Sequence, residues 1–136
     1  MADNTIFLYN FSLKPGQCVE LDGFIPEGCR RFFINLGKDA KNLVIHFDVR
    51  FDFQAEKRIL SLNSMEDGVW GEELREKVFP FKEASDTMVC FQYELDKITI
   101  QLSSGKPFSF PVRFTMEEIS YMAEPICPYP GSVKWP

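Results

Sequence analysis

The sequence predicts an all-β protein, a sandwich of two antiparallel sheets, and three observations carry that expectation. Short runs that alternate or are wholly apolar recur along the chain, and turn residues separate them. The composition, with 14 Phe in 136 residues, also leans toward strands.

Taken in order, the first run ends at Lys14-Pro15-Gly16, and Cys18 to Asp22 opens a second. Arg31 to Leu36 reads as a strand that ends at the Gly37 to Lys41 turn. Asn42 to Phe51 and Arg58 to Asn63 follow, then Thr87 to Tyr93, Lys97 to Leu102 and Pro107 to Pro111. Glu94 to Asp96 and Ser103 to Lys106 read as hairpin loops between the last three runs. Thr115-Met-Glu-Glu118 departs from the pattern, because its capping-box form predicts a single helical turn.

A chain of 136 residues without repeats or low-complexity linkers is expected to be one domain, residues 1–136. Its net charge of −5 speaks against nucleic-acid or anionic-membrane surfaces, which reward basic patches. No apolar stretch approaches the ~18 residues of a membrane span, and no basic-then-apolar leader opens the chain. The expected compartment is the cytosol. Cys18, Cys29, Cys90 and Cys127 are widely spaced, form no CxxC pair and stand beside a single His, so free thiols are expected rather than a zinc site. No cofactor or metal is implied.

The most informative strand is Val44 to Phe51. Side chains alternate along a strand, so Ile45, Phe47, Val49 and Phe51 face a core while His46, Asp48 and Arg50 face the other way. Downstream lie Asn63 and then Trp70-Gly71-Glu72-Glu73-Leu74-Arg75, with Trp70 in polar, turn-like company and Glu73 and Arg75 spaced to share a strand face. Locally this pattern fits two arrangements: a solvated sheet surface with Trp70 sealing an edge and Glu73–Arg75 as a surface ion pair, or a binding face. The residue types suit a pyranose. An indole covers the apolar C–H patch of a sugar ring; Arg50, Arg75 and Asn63 supply planar donors, and Asp48 and Glu73 supply acceptors.

His46-Phe-Asp-Val-Arg50, then Asn63, then Trp70-Gly71-x-Glu73-x-Arg75 closely resembles the carbohydrate-recognition signature of the galectins. Leu13-Lys-Pro-Gly16, Asn35-Leu-Gly-Lys38 and Val78-Phe-Pro-Phe81 extend the resemblance from about Leu13 to Met122. The resemblance implies a jelly-roll sandwich with a groove across its concave sheet and calcium-independent binding of lactose and N-acetyllactosamine. It implies that His46 and Arg50 contact the galactose 4-hydroxyl, Asn63 and Glu73 the 6-hydroxyl, that Trp70 stacks on the ring, and that Arg75 reaches the second sugar. It further implies a lectin rather than an enzyme, export from the cytosol without a signal peptide, oxidation-sensitive thiols, and a homodimer that cross-links glycans.

Three positions and the C-terminal segment depart from the family pattern. Asp48 stands where the family has Asn, keeping an acceptor but losing a donor, and is expected to weaken or shift sugar preference. Val49 replaces Pro on the core side, and Gln54 stands in a loop where many relatives have His. The segment from Glu124 to Pro136 carries four prolines, so it is expected to form at best an irregular edge strand, which bears on the dimer. Asp48 and this segment together leave room for a second reading, a galectin-fold structural or interaction module with little sugar binding. A glycosidase using Asp48 and Glu73 is disfavoured, because neighbouring arginines would keep both acids ionised and leave no proton donor.

Overall fold

A computed structural model describes residues 5–8, 11–125 and 129–134. The strands are β1 (Thr5–Leu8), β2 (Cys18–Ile25), β3 (Arg31–Asp39), β4 (Asn42–Phe53), β5 (Glu56–Glu66) and β6 (Val69–Trp70). They continue with β7 (Leu74–Glu76), β8 (Ser85–Tyr93), β9 (Lys97–Leu102), β10 (Phe108–Pro111), β11 (Tyr121–Pro125) and β12 (Tyr129–Lys134). One antiparallel sheet runs β1-β11-β3-β4-β5-β6, with β7 also on the free edge of β5; the other runs β10-β9-β8-β2-β12. The expected sandwich is the observed fold.

Alternation drives the packing. On β4, Ile45, Phe47 and Val49 are fully buried, and their cross-strand partners Leu36, Ile34 and Phe32 on β3 are buried with them. Leu62 and Leu60 on β5 face Phe47 and Val49 in the same layer. Phe47 then meets the second sheet edge-on: its ring centroid lies 5.4 Å from that of Phe91 on β8, at 88°. Phe81 stands edge-on to both Phe32, at 5.7 Å, and Phe47, at 6.2 Å. Edge-to-face aromatic contacts of this kind add to the burial of the rings themselves. Phe81 therefore works as a plug beneath the middle of β4, with the partly buried Phe79 packed against it, while Val78 is exposed.

Turns set the register on the polar side. The β4–β5 hairpin closes through Gln54 and Ala55, both in the left-handed region at φ 50° and 66°. That is the twist a two-residue hairpin needs, here adopted by residues that ordinarily avoid it. Asp67 and Gly68, at φ 51° and 81°, make the equivalent turn from β5 into β6. Their backbone is tied back to the β3–β4 turn: Gly68 N donates to Lys41 O at 3.0 Å, and Asp67 N to Asn42 Oδ1 at 3.0 Å.

Two expectations need correction and one is met. No helical turn forms at Thr115 to Glu118. Ile119 instead exchanges two backbone hydrogen bonds with Leu13, each 2.8 Å, and the Glu118 carboxylate accepts from Ser12 Oγ, so tertiary pairing overrides the local capping signal. Cys18 and Cys90 are free thiols, as expected, but Cys29 is disulfide-bonded; Cys127 lies outside the described residues. The proline-rich C-terminal segment does form an edge strand, β12 on β2, with a register shift between Pro130 and Ser132. Among the described residues no helix is long and apolar enough to cross a membrane.

Gly37, where β3 shifts register against β4, leaves little room for a side chain. A Cβ there would sit 2.1 Å from Asn42 O and 2.7 Å from Leu43 Cα, and neither backbone atom can swing aside. Gly37→Ala is expected to lower stability by about 2 kcal/mol, read as a lower urea midpoint at unchanged slope.

Candidate functional site

The polar face is assembled by register. On β4, His46, Asp48 and Arg50 project away from the core. Across β5, Asn63 stands opposite His46 and Ser61 opposite Asp48, and Arg75 on β7 stands opposite Ser61. Trp70 on β6 pairs with Met65. The structure thus brings all seven sequence-predicted residues, His46, Asp48, Arg50, Asn63, Trp70, Glu73 and Arg75, to one face of the larger sheet.

Trp70 is 49% exposed, and its ring centroid lies 4.8 Å from that of His46. The indole is therefore presented to solvent beside the polar residues rather than folded into the core. His46 Nδ1 lies 2.5 Å from Asn35 Oδ1. An amide oxygen only accepts, so Nδ1 carries the proton and Nε2 keeps a lone pair in the neutral ring. Nε2 sits 3.7 Å from Asp48 Oδ2.

Three arginines and three carboxylates alternate through the centre. Asp48, with 0% exposure, receives Arg31 Nε on Oδ1 at 2.8 Å and Arg31 Nη2 on Oδ2 at 3.3 Å. It also receives Arg50 Nε on Oδ2 at 2.9 Å. Arg50 continues to Glu56, and its Nη2 lies 3.8 Å from Glu73 Oε2. Arg75 closes the array, with Nη1 2.6 Å from Glu56 Oε2 and Nε 2.9 Å from Glu73 Oε1. Ser61 Oγ donates to Glu73 Oε2 at 2.6 Å.

These contacts set the charge states. Burial alone pushes the Asp48 carboxyl up, but the His46 ring, when it is protonated, and the Arg31 guanidinium hydrogen-bonded to both carboxylate oxygens outweigh it and hold the group well below the usual carboxylate range. Glu73 is held low first by the Ser61 hydrogen bond and then by Arg75; Glu56 is held low chiefly by Arg75. Glu124 on β11 is the contrast. Only 7% exposed, its carboxyl is pushed up to about 7 by burial.

Several contributors escaped the sequence reading. Arg31, Phe33 and Asn35 share a face of β3, and the short Gly37 to Lys41 turn pairs that face with β4, so the hairpin was the signal that could have found them. Glu56 and Ser61 sit on β5 within the array. Arg113 gave no signal, since it reaches in from a loop: Nη1 donates to Asn63 Oδ1 and to Ser64 Oγ, each at 3.1 Å, and Nη2 to Glu72 O at 2.7 Å. Asn63, 9% exposed, also accepts from Ser64 N at 2.7 Å and donates to Gly71 O at 3.1 Å. One amide proton of Asn63 remains for a ligand. A Cβ on Gly71 would lie 2.7 Å from Arg113 Nη1, so glycine lets the Trp70 turn approach that brace. Gln54, at the β4–β5 turn, is exposed.

An exposed indole beside an ordered set of fixed donors and acceptors, on one face of a β-sandwich, defines a carbohydrate-binding class of site. The family model for galactoside-binding lectins matches residues 6–124, and the chain belongs to that family, the galectins, whose members are lectins and not enzymes. It is 47% identical over 122 residues to galectin-1 of Rhinella arenarum, covering 90% of this chain and 91% of that one. It is 43% identical to galectin-1 of Mus musculus, covering 84% of each. Among solved structures, the complex of toad ovary galectin with thio-digalactose superposes with a TM-score of 0.93 at 41% identity, covering 99% of this chain and 100% of that one. A homodimeric agglutinin from chicken liver superposes at 0.92 and 31% identity, covering 97% and 99%.

The depressed Asp48 carboxyl makes stability depend on pH with a definite sign. A group whose folded-state pKa lies below its unfolded value of about 4 stabilises fully above that value, and the contribution is lost as the pH falls through the folded pKa. Between pH 6 and pH 3 the wild type is expected to lose about 1 kcal/mol more stability than Asp48→Asn does. Urea denaturation of both proteins at the two pH values measures the difference.

Proposed function

We propose that this chain binds β-galactosides such as lactose and N-acetyllactosamine, without calcium, in the open groove between Trp70 and the arginine–carboxylate array. The observation that carries the reading is the half-exposed Trp70 indole packed beside His46, at the end of a row of polar groups that are already held in place. Galactose has an apolar C–H patch on one face of its ring and an axial 4-hydroxyl. The indole covers the patch. His46 Nε2 accepts from the 4-hydroxyl while Arg50 donates to it; Asp48, which the sequence suggests as a direct acceptor, has no exposure and instead holds Arg50 in place. The free amide proton of Asn63 and the Glu73 carboxylate take the 6-hydroxyl, and Arg75 reaches the second sugar. Because ion pairing fixes these groups before a ligand arrives, little ordering remains to oppose binding. An epimer with an equatorial 4-hydroxyl would leave His46 and Arg50 unmatched, and that loss is the source of selectivity.

The galactoside complex of the toad ovary galectin supports the reading by relatedness. Asp48, the departure that favoured a structural module, is neutralised by two arginines. In this reading residues 1–136 act as a single recognition domain that works in the cytoplasm and, after export without a signal peptide, outside the cell. The homodimeric relative supports a two-fold dimer. The strands β1 and β12 are sheet edges available for it. A dimer would cross-link glycans through two weak sites, with avidity supplying strength.

Lactose is expected to bind in the millimolar to micromolar range, roughly −4 to −8 kcal/mol. Trp70→Leu is expected to weaken it at least about tenfold, by about 1.4 kcal/mol or more, with the melting temperature unchanged because the indole lies outside the core. Titration calorimetry on both proteins tests this; equal affinities would overturn the stacking role. Sedimentation across a concentration series is expected to show twice the 15.8 kDa chain mass. A monomer throughout would remove the cross-linking mechanism.

A further inference from the structure

We propose that Arg31 is a positioning residue of the sugar groove, acting through Asp48 to keep Arg50 available to the ligand. The inference rests on the galactoside-binding reading and deepens it. At the centre of the site, Asp48, Glu56 and Glu73 face Arg31, Arg50 and Arg75, three negative groups against three positive ones. Asp48 is the member with no exposure, so its charge must be met by protein groups alone. Arg31 meets it with two donors, one on each carboxylate oxygen, at 2.8 and 3.3 Å.

Without Arg31, Arg50 would be the sole guanidinium near Asp48 while also holding Glu56 and lying 3.8 Å from Glu73. With Arg75 still paired to Glu56 and Glu73, Arg50 turns toward Asp48, because that buried charge has no solvent and no other guanidinium to fall back on. Arg50 would then lose its reach toward a sugar hydroxyl.

The orientation of Arg31 does not depend on a ligand. Its guanidinium carbon lies 4.5 Å from the Phe53 ring centroid and 5.3 Å from that of Phe33, so aromatic faces grip it from two sides. Phe33 is in turn 5.7 Å from His46, which places this support beside the groove. Arg31 also stands directly across the β3–β4 ladder from Arg50. Like charges facing each other across a ladder are unfavourable; here Asp48 bridges the two. The dependence is specific to a carboxylate at position 48. A neutral amide there would place no unmet charge in the site when Arg31 is removed.

The test is a double-mutant cycle in lactose affinity, by titration calorimetry on wild type, Arg31→Met, Asp48→Asn and the double variant, with melting temperatures confirming that each is folded at the assay temperature. Arg31→Met is expected to weaken lactose binding about tenfold in the wild-type background and by less than about twofold in the Asp48→Asn background, since only the former leaves a buried charge short of a partner. Equal losses in the two backgrounds, or no loss in the wild-type background, would overturn the proposal. Should Arg31→Met not fold, Arg31→Lys replaces it: a larger loss in the wild-type background than in the Asp48→Asn background supports the role, and equal losses overturn it. A wild type that does not bind lactose overturns the functional reading and this inference together. A wild type that binds, with equal losses in both backgrounds, overturns this inference alone.

Discussion

A carboxylate with no solvent contact sits at the middle of this molecule's polar face, and the arrangement around it follows from the need to satisfy its charge. Asp48 on β4 is buried, and its neighbours on β3 and along β4 are the arginines that compensate it. Each arginine has donors left over, and those of Arg50 recruit Glu56 and Glu73, which in turn fix Arg75. Glu124, a buried acid with no arginine partner among the described residues, behaves oppositely: its carboxyl is driven up rather than down. Ionisation at the site is therefore a property of the arginine lattice and not of burial.

That lattice holds its geometry because the same strands carry the core on their other side. Phe47, between His46 and Asp48, is locked edge-on against Phe81 and Phe91, and Val49, between Asp48 and Arg50, packs over Leu60 and Phe32. A polar side chain on β4 cannot shift along the strand without dragging a packed aromatic ring with it. Phe81 belongs to the site in this sense, although it faces the core. Val49, where the family pattern has proline, suits this role, since a β-branched residue fits the buried face of a strand.

On the Trp70 side the fixing is different. The strand β6 is two residues long, and the turn beyond it is braced from beneath by Arg113 through Asn63, Ser64 and the Glu72 carbonyl. The absence of a side chain at Gly71 lets that brace approach. An exposed indole on a short edge strand thus gains a rigid base without burying its face, which is the condition for stacking on a ligand. The left-handed pair Gln54 and Ala55 performs a related service at the opposite end, turning β4 into β5 tightly enough to bring Glu56 under Arg50.

Alternation along β4 was legible in the sequence because a strand has a strict period of two, and that period alone put His46, Asp48 and Arg50 on one face and Ile45, Phe47 and Val49 on the other. The spaced motifs from Leu13 to Phe81 likewise carry the family resemblance and the sandwich it implies. Local signals failed where distant backbone competed for the same groups: the capping-box segment at Thr115 to Glu118 gave up its helix to pair with Leu13 and Ser12. The partners of Asp48 were hidden for a similar reason. Asp48 read from sequence is a carboxylate that has lost an amide donor, whereas in the fold it is one pole of an ion array completed by Arg31, 17 positions away. Charge compensation of a buried group depends on which strands become neighbours and in what register. Pairing across the β3–β4 hairpin, and the reach of Arg113 from its loop, are decided only when the whole sheet is assembled.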